Sequence, residues 1–461
     1  MLLATNVAHC IGTLIIAMSE KKVELSLEQK DLLEKTVNQR KSIFFTGCGG
    51  TGKSFVLGYI IKELRSKSDK AGTVAVTAST GKAAFNVGGT TLHSFAGIQL
   101  GNASKDDLYK KAHFNSNSRN RWKEVTTLII DEISMIDGEL FDKLEYIARR
   151  MKENNEPFGG IQLILVGDLL QLPPVQTLGQ NKKRIFEADS WKKCIQEYIM
   201  LGRVFRQNNI DFIRVLTCIR VGEVTDEVVK YMEKLAQKKD FDEKAGVVNL
   251  YATKNKTDEY NNRELNKINA NSVFYHARDI YTKRQTSNNT LLDSCQAPKT
   301  LELKIGAQVM LVRNITKDLV NGTVGIVTSF TNKVQGKESI AGTEFGTESF
   351  PVVKFNLANG RTFTRPMKRE LWESVTSTGA VQGSRRQIPL ILAWAITVHK
   401  SQSQTIQRLR VDASEIFESG QLYTALSRAV NPDTLEVTGF DPDRVKVDTI
   451  SLEFCLSNNL I

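Results

Sequence analysis

Six cysteines occur in 461 residues, and none forms a CxxC pair. Cys10, Cys48, Cys194, Cys218, Cys295 and Cys455 are scattered along the chain. That spacing argues against a zinc site and against a disulfide framework. Reduced thiols inside a cell fit it best. Internal repeats, low-complexity tracts and coiled-coil heptads are also missing, which excludes solenoids and rods. Residues 1–18, MLLATNVAHCIGTLIIAM, carry no charged side chain, yet this run is too short to cross a membrane. It lacks the basic n-region of a secretory signal and the Arg-bearing face of a mitochondrial presequence. Met18 opens MSEKKVELSLEQ and reads as the initiator, with a divergent targeting segment as the alternative.

What is present is ordinary in amount and uneven in sign. Hydrophobic residues make up 41% and charged residues 25%, as in a soluble globular protein able to bury full-sized cores. The length allows two to four domains. Lys plus Arg number 62 against 51 Asp plus Glu, a net charge of +11. The surplus is compatible with a polyanionic partner, although charge alone only raises the weight on nucleic acid.

Continuous apolar runs at SIFFTG (42–47), TVAVTA (73–78), TLIID (127–131) and IQLILVGD (161–168) read as strands covered on both faces. Helical patterns at 53–65 and 138–152 separate them, which suggests a parallel sheet with βα crossovers. Residues 98–124 are polar and basic and read as a small surface insertion. A second βα series starts after 200, with a strand at 247–253 and a helix at 254–268. Short strands with Gly, Asn and charged turns then suggest a small antiparallel barrel at 306–385. The α/β character returns with IPLILAWAITVHKSQ.

GCGGTGKS (47–54) follows a strand and precedes a helix, the context in which this pattern binds nucleoside triphosphate. Gly47, Gly49, Gly50 and Gly52, with Cys48 and Thr51, form a tight loop whose N–H groups can wrap phosphate. Lys53 would reach the outer phosphates, and Ser54 would ligate Mg²⁺. IIDEIS (129–134) ends a strand in two acids. Asp131 fits the magnesium role, and Glu132 is placed to activate water as a general base. Gln171 in LVGDLLQLPPV could sense the γ-phosphate without adding charge. Phosphoryl transfer gains from positive charge supplied by another domain, and Arg206 and Arg428 are candidates.

TGCGGTGKS, TASTGKAAFNVGGTTLHSFAGI, LIIDEISM, VGDLLQLPPV, VFRQ, LAWAITVHKSQSQT and LYTALSRA occur in that order. Together they resemble the Pif family of superfamily-1 DNA helicases, relatives of the RecD-like helicases, over about 26–440. The resemblance implies an α/β fold of two RecA-like parallel-sheet domains with ATP between them. It implies a small wedge-bearing insertion in the first and an SH3-type β-barrel in the second. The expected division is an extension at 1–25, domain 1A at 26–200 with insertion 1B at 98–124, domain 2A at 201–305, domain 2B at 306–385, and the rest of 2A with the C-terminus at 386–461.

The resemblance also implies 5′→3′ translocation on single-stranded DNA and unwinding of duplexes, forks, RNA–DNA hybrids and G-quadruplexes in genome maintenance. ATP and Mg²⁺ are the implied cofactors, and DNA junctions the implied partners, with no membrane. A monomer is expected, with a dimer on DNA as the alternative, in the nucleus or mitochondrion of a eukaryote. Gln29 would contact adenine, and Arg206 and Arg428 would be the arginine fingers. Thr80, Gly81, His93, Ser94, Phe95 and Pro174 on one domain, with His399, Lys400 and Ser401 on the other, would hold the strand by phosphate contact and stacking.

Two positions depart from the family pattern. Cys48 replaces the usual Ala and is small enough to leave nucleotide binding intact. Ser403 replaces the usual Gly after HKSQ and would strain a turn that needs positive φ, weakening coupling between ATP and DNA. Two other activities share some of these motifs. A translocase that unwinds poorly shares all of them, and a P-loop switch needs neither Arg428 nor HKSQ.

Overall fold

The computed structural model describes residues 25–461 apart from positions 69, 71, 100, 175–181, 238–245, 282–291, 293, 294, 296, 314, 317, 318, 320, 332–347, 358–360, 376–380 and 403. Met18 and Ser403, both singled out above, lie outside the described residues.

The first domain begins with helix α1 (Leu27–Leu33), strand β1 (Ile43–Gly47), α2 (Lys53–Ser66) and β2 (Val74–Ala78). Next come α3 (Gly81–Asn86), β3 (Thr90–Thr91), α4 (Leu92–Ala96), α5 (Lys105–Phe114) and α6 (Ser116–Glu124). It continues through β4 (Thr127–Asp131), α7 (Gly138–Lys152), β5 (Gln162–Val166) and β6 (Glu197–Leu201). The six strands form one parallel sheet in the order β3-β2-β4-β5-β1-β6. The central strands β1, β4 and β5 are buried on both faces and largely apolar, whereas the edge strands β3 and β6 are more exposed. Ile43 and Phe45 face a core with Val56, Leu57 and Ile60 of α2. Phe44 points the other way, to Phe141 and Leu144 of α7. Helix α7 starts where Asp137 accepts the Leu140 N–H at 2.8 Å and ends on a basic turn, both favourable to the helix dipole.

The interval 98–124, expected as a small surface insertion, carries the helices α5 and α6, which pack into the first domain. Leu108, Ala112 and Trp122 belong to the first domain's core. Trp122 packs against Phe95 with ring centroids 5.0 Å apart and donates its indole N–H to the Ala96 carbonyl at 3.2 Å. Polar composition concealed this because each helix buries only a narrow stripe.

The second domain contains α8 (Ile210–Val221), α9 (Asp226–Ala236), β7 (Val248–Tyr251) and α10 (Lys254–Lys267). After a β-rich module it resumes with β18 (Ala395–Thr397), α11 (Val398–Ser401), β19 (Leu409–Asp412), α12 (Gln421–Leu426) and β20 (Leu435–Thr438). Its parallel sheet has the order β18-β7-β19-β20.

The β-rich module is larger than the expected 306–385. Strands β8 (Val273–His276), β9 (Arg278–Tyr281) and β10 (Thr300–Leu303) precede that interval, and β17 (Leu390–Leu392) follows it. Between them lie β11 (Gln308–Leu311), β12 (Val324–Phe330), β13 (Pro351–Asn356), β14 (Thr362–Pro366), β15 (Glu370–Val375) and β16 (Val381–Gln387). Strand β8 pairs with β10, β9 with β16, and β17 with β11, all antiparallel. Distant pairing, not local composition, sets these boundaries.

The expected interval 386–461, which groups the rest of 2A with the C-terminus, divides between the two domains. Helix α13 (Thr449–Ser457) returns to the first domain, where Cys455 and Leu460 join the core around Trp191. Phe454 stacks on Phe186 at 4.2 Å and 15°, and Arg184 Nη2 lies 2.6 Å from Asp448 Oδ1. Among the described residues no helix is long and apolar enough to cross a membrane.

Candidate functional site

The carboxyl end of β1 leads through the glycine loop into α2. Gly50 (φ 98°) and Gly52 (φ 81°) hold conformations that side chains rarely adopt. A Cβ at Gly50 would lie 2.6 Å from Arg206 Cβ, so the loop also needs glycine for space. Lys53 is half-buried, and its ammonium donates to the Gly47 and Cys48 carbonyls at 2.6 and 3.1 Å. Burial lowers its pKa, while the charges of Asp168 and Glu132 act the other way. Thr51 Oγ1 donates to the Cys48 carbonyl at 2.9 Å and braces the loop. The loop opens on a cleft of about 1090 Å³ that Ser54, Glu132, Gln171, Arg206 and Arg428 also line.

Strand β4 delivers Asp131 and Glu132 to the same end of the sheet. Asp131 accepts the Glu132 N–H at 2.8 Å. Burial, and then the Glu132 charge, push the Asp131 carboxyl up to about 7. Glu132 itself is held at φ 54°, a left-handed conformation that a non-glycine residue adopts only under constraint. A buried acid beside another acid is an environment that a divalent cation relieves, and Ser54 supplies a second oxygen. The donor set therefore fits Mg²⁺. No group of three or more His, Cys, Asp or Glu gathers for a metal among the described residues, so phosphate and water would complete the shell.

The loop after β5 contributes Gln171, whose Nε2 donates to Asp168 Oδ2 at 3.3 Å. Burial would raise the Asp168 pKa, but Arg220, Lys53 and the Leu170 N–H hold it below the usual carboxylate value. Arg220 comes from α8 of the second domain, with Nη2 3.0 Å from Asp168 Oδ1.

Arg428 reaches the cleft from the second domain, and Arg206 from the segment that joins the two domains. Arg206 Nη1 donates to the Ser427 carbonyl at 2.7 Å. Arg428 is 2% exposed; its Nε donates to the Thr424 carbonyl at 2.9 Å and its Nη2 to Ser427 Oγ at 2.7 Å. Burial, reinforced by Arg428, pushes Arg206 down to about 9. The loop is tied to α12 directly, because the Gly49 N–H donates to the Tyr423 hydroxyl at 2.7 Å. Gln29 sits beside the loop. Its Oε1 accepts the Ser26 N–H at 3.1 Å in a capping box, and its Nε2 would lie 3.0 Å from a Cβ on Gly52.

Sequence reasoning did not assign Asp168, Arg220, Tyr423, Phe205 or Gln402. Phe205 is an exposed ring at the cleft mouth, 3.6 Å from a Cβ on Gly52, with the Arg203 guanidinium 5.1 Å from its centroid. The aromatic in VFRQ, next to Arg206, was the available signal.

The candidate strand-contact residues divide in two. Gly81 is exposed, with no atom within 4 Å of a Cβ built there, and Thr80 caps α3 by accepting the Ala83 N–H at 3.2 Å. Lys400 is exposed, and His399 Nε2 lies 3.1 Å from Glu418. His93 and Ser94 are half-buried, and burial lowers the His93 pKa. Phe95 is only 5% exposed and packs on Trp122, so it does not offer the expected stacking face. Ser401 is fully buried and donates to the Val398 carbonyl at 2.7 Å, so it cannot hold phosphate as expected. Pro174 is buried as well.

A family model described as PIF1-like helicase matches residues 24–230, and one described as DNA helicase Pif1, 2B domain, matches 287–330. The ATP-dependent DNA helicase PIF1 of Emericella nidulans is 40% identical, over 93% of this chain and 62% of that protein. The chain thus spans about three-fifths of the length of that curated relative. The crystal structure of Pif1 helicase from Candida albicans superimposes with a TM-score of 0.81 at 41% identity, covering 94% of this chain and 99% of that one. The crystal structure of Pif1 helicase from Bacteroides in complex with ADP-AlF3 and ssDNA gives a TM-score of 0.66 at 27% identity, over 95% and 98% of the two chains.

Proposed function

The chain belongs to the PIF1-like helicases, and from that premise we propose that it is an ATP-dependent 5′→3′ DNA helicase. One observation carries this reading. Arg206, on the segment that joins the domains, and Arg428 of the second domain stand against Gly50 and Gly49 of the phosphate loop, where a Cβ would meet their atoms at 2.6 and 3.6 Å. A nucleotide in that cleft is read by both domains at once, as a motor requires.

The P-loop N–H groups and Lys53 bind the phosphates, and Gln29 with the Phe205 ring receives the base. Ser54 and Asp131 hold Mg²⁺, which neutralises phosphate charge when bound. Glu132 takes the proton of the attacking water, and Gln171 orients toward the γ-phosphate. Arg206 and Arg428 stabilise the charge that spreads over the transferred group. Thr80 and Gly81 on one domain, with His399 and Lys400 on the other, grip the strand, and each closure of the cleft shifts one pair relative to the other. The substrates are single-stranded DNA and junctions, including forks, RNA–DNA hybrids and G-quadruplexes. The working unit is a monomer. The net charge of +11 favours a polyanion, and the Bacteroides relative solved with ADP-AlF3 and ssDNA supports both ligands.

The test is ATP turnover with and without single-stranded DNA, coupled to unwinding of 5′-tailed and 3′-tailed duplexes. Strong stimulation and a requirement for the 5′ tail are expected. Unwinding from the 3′ tail alone would overturn the assigned polarity.

A further inference from the structure

The segment AITVHKSQ runs from β18 through α11, and its last residue crosses the domain boundary. Gln402 Nε2 donates to Glu132 Oε2 at 3.3 Å. Gln402 is 7% exposed, whereas Glu132 is half-buried and lines the cleft. Glu132 is meanwhile held in its left-handed conformation, which persists only when the surroundings over-determine it.

Two residues before Gln402, Lys400 lies on the exposed side of the same short turn. The turn is rigid. Thr397 Oγ1 accepts the Lys400 N–H at 3.2 Å, Ser401 Oγ donates to the Val398 carbonyl at 2.7 Å, and the Gln402 N–H donates to the His399 carbonyl at 3.4 Å. A polyanion that displaces Lys400 therefore displaces Gln402. An exposed cation and an amide bound to the acid sit on one mechanical unit.

We propose that Gln402 is a positioning residue that restrains Glu132 while no strand is bound and releases it when α11 engages phosphate. The proposal rests on the reading of Glu132 as general base and α11 as strand contact. The amide N–H occupies a carboxylate oxygen that must accept a proton from the attacking water. It does so without adding charge to a cleft that already holds Asp131. Release leaves that oxygen available, so strand binding and hydrolysis are coupled through one hydrogen bond.

ATP turnover of Gln402→Ala and Gln402→Met, with and without an oligo-dT strand, tests this. Both variants should raise strand-free turnover about tenfold or more, the scale of a freed general base. Strand-saturated turnover should change by less than about twofold, so the stimulation ratio collapses. Oligo-dT affinity, read by fluorescence anisotropy, should tighten, because binding no longer has to break the Gln402–Glu132 hydrogen bond; weaker binding would count against the coupling. Gln402→Met keeps the side-chain volume, and a thermal melt verifies folding. Strand-free turnover that stays constant or falls in folded variants overturns the restraint. Glu132→Gln separates the two readings. Loss of turnover in both conditions upholds the base whatever Gln402 does, whereas retained turnover overturns the base and the restraint together.

Discussion

Arg220 of the second domain and Asp168 of the first form an ion pair, Nη2 to Oδ1 at 3.0 Å, with both side chains withdrawn from solvent. The same carboxylate accepts Gln171 Nε2 and the Leu170 N–H. One acid thus joins the domain seam to Gln171, the residue proposed to sense the γ-phosphate. Arg220→Met leaves Asp168 buried and unpaired and should destabilise the protein by about 3–5 kcal/mol. Adding Asp168→Asn should recover part of that loss. Urea unfolding of the singles and the double measures the coupling, and additive singles would refute it.

Gly49→Val should abolish hydrolysis while sparing nucleotide binding. A Cβ there would lie 2.9 Å from Ser427 Cβ and 3.0 Å from its Oγ, so the turn bearing Arg428 could not approach the loop. Fluorescent ADP should still bind within about threefold, since the substitution removes approach rather than phosphate contacts. Loss of binding in step with turnover would contradict the argument.

Arg428→Ala should lower kcat about 10³-fold or more, with little effect on the KM for ATP. Arg428→Lys should not rescue it. The guanidinium uses separate nitrogens on Thr424 and Ser427, a fork that an ammonium cannot reproduce. Steady-state kinetics at saturating single-stranded DNA gives the answer.

Asp131 makes stability pH-dependent in a definite direction. Its folded pKa near 7 lies above its unfolded value, so between about 4 and 7 the folded state binds more protons. Stability without divalent cation should therefore fall as pH rises through that window and level off above it. Asp131→Asn should flatten the slope, and Mg²⁺ with nucleotide should reduce it. Thermal melts from pH 5 to 8 suffice, and a slope unchanged by Asp131→Asn would exclude this residue as its source.

Much of the cleft was legible in the sequence because its chemistry sits in local strings. The strands ending at Gly47 and Asp131 and the helices over 53–66 and 138–152 follow from apolar runs bounded by glycine or a cap. What escaped was the identity of partners. Asp168 lay in a motif whose role was given to Gln171, and Arg220 looked like any helical arginine until α8 met the first domain. Strand β9 gives no local sign that it pairs with β16, about a hundred residues away. Phe95 and Ser401 look available in a string and are buried in the fold, because burial depends on what packs from elsewhere.

The return of α13 to the first domain has a mechanical consequence. The chain passes between the two parallel-sheet domains twice, through 202–209 and again through 439–448. A single tether would permit swivelling about any line through it. Two tethers join the domains at two points, so any opening must be accommodated by both stretches of backbone at once. Covalent topology, alongside the chemistry of the cleft, thus restricts how far the two domains can part.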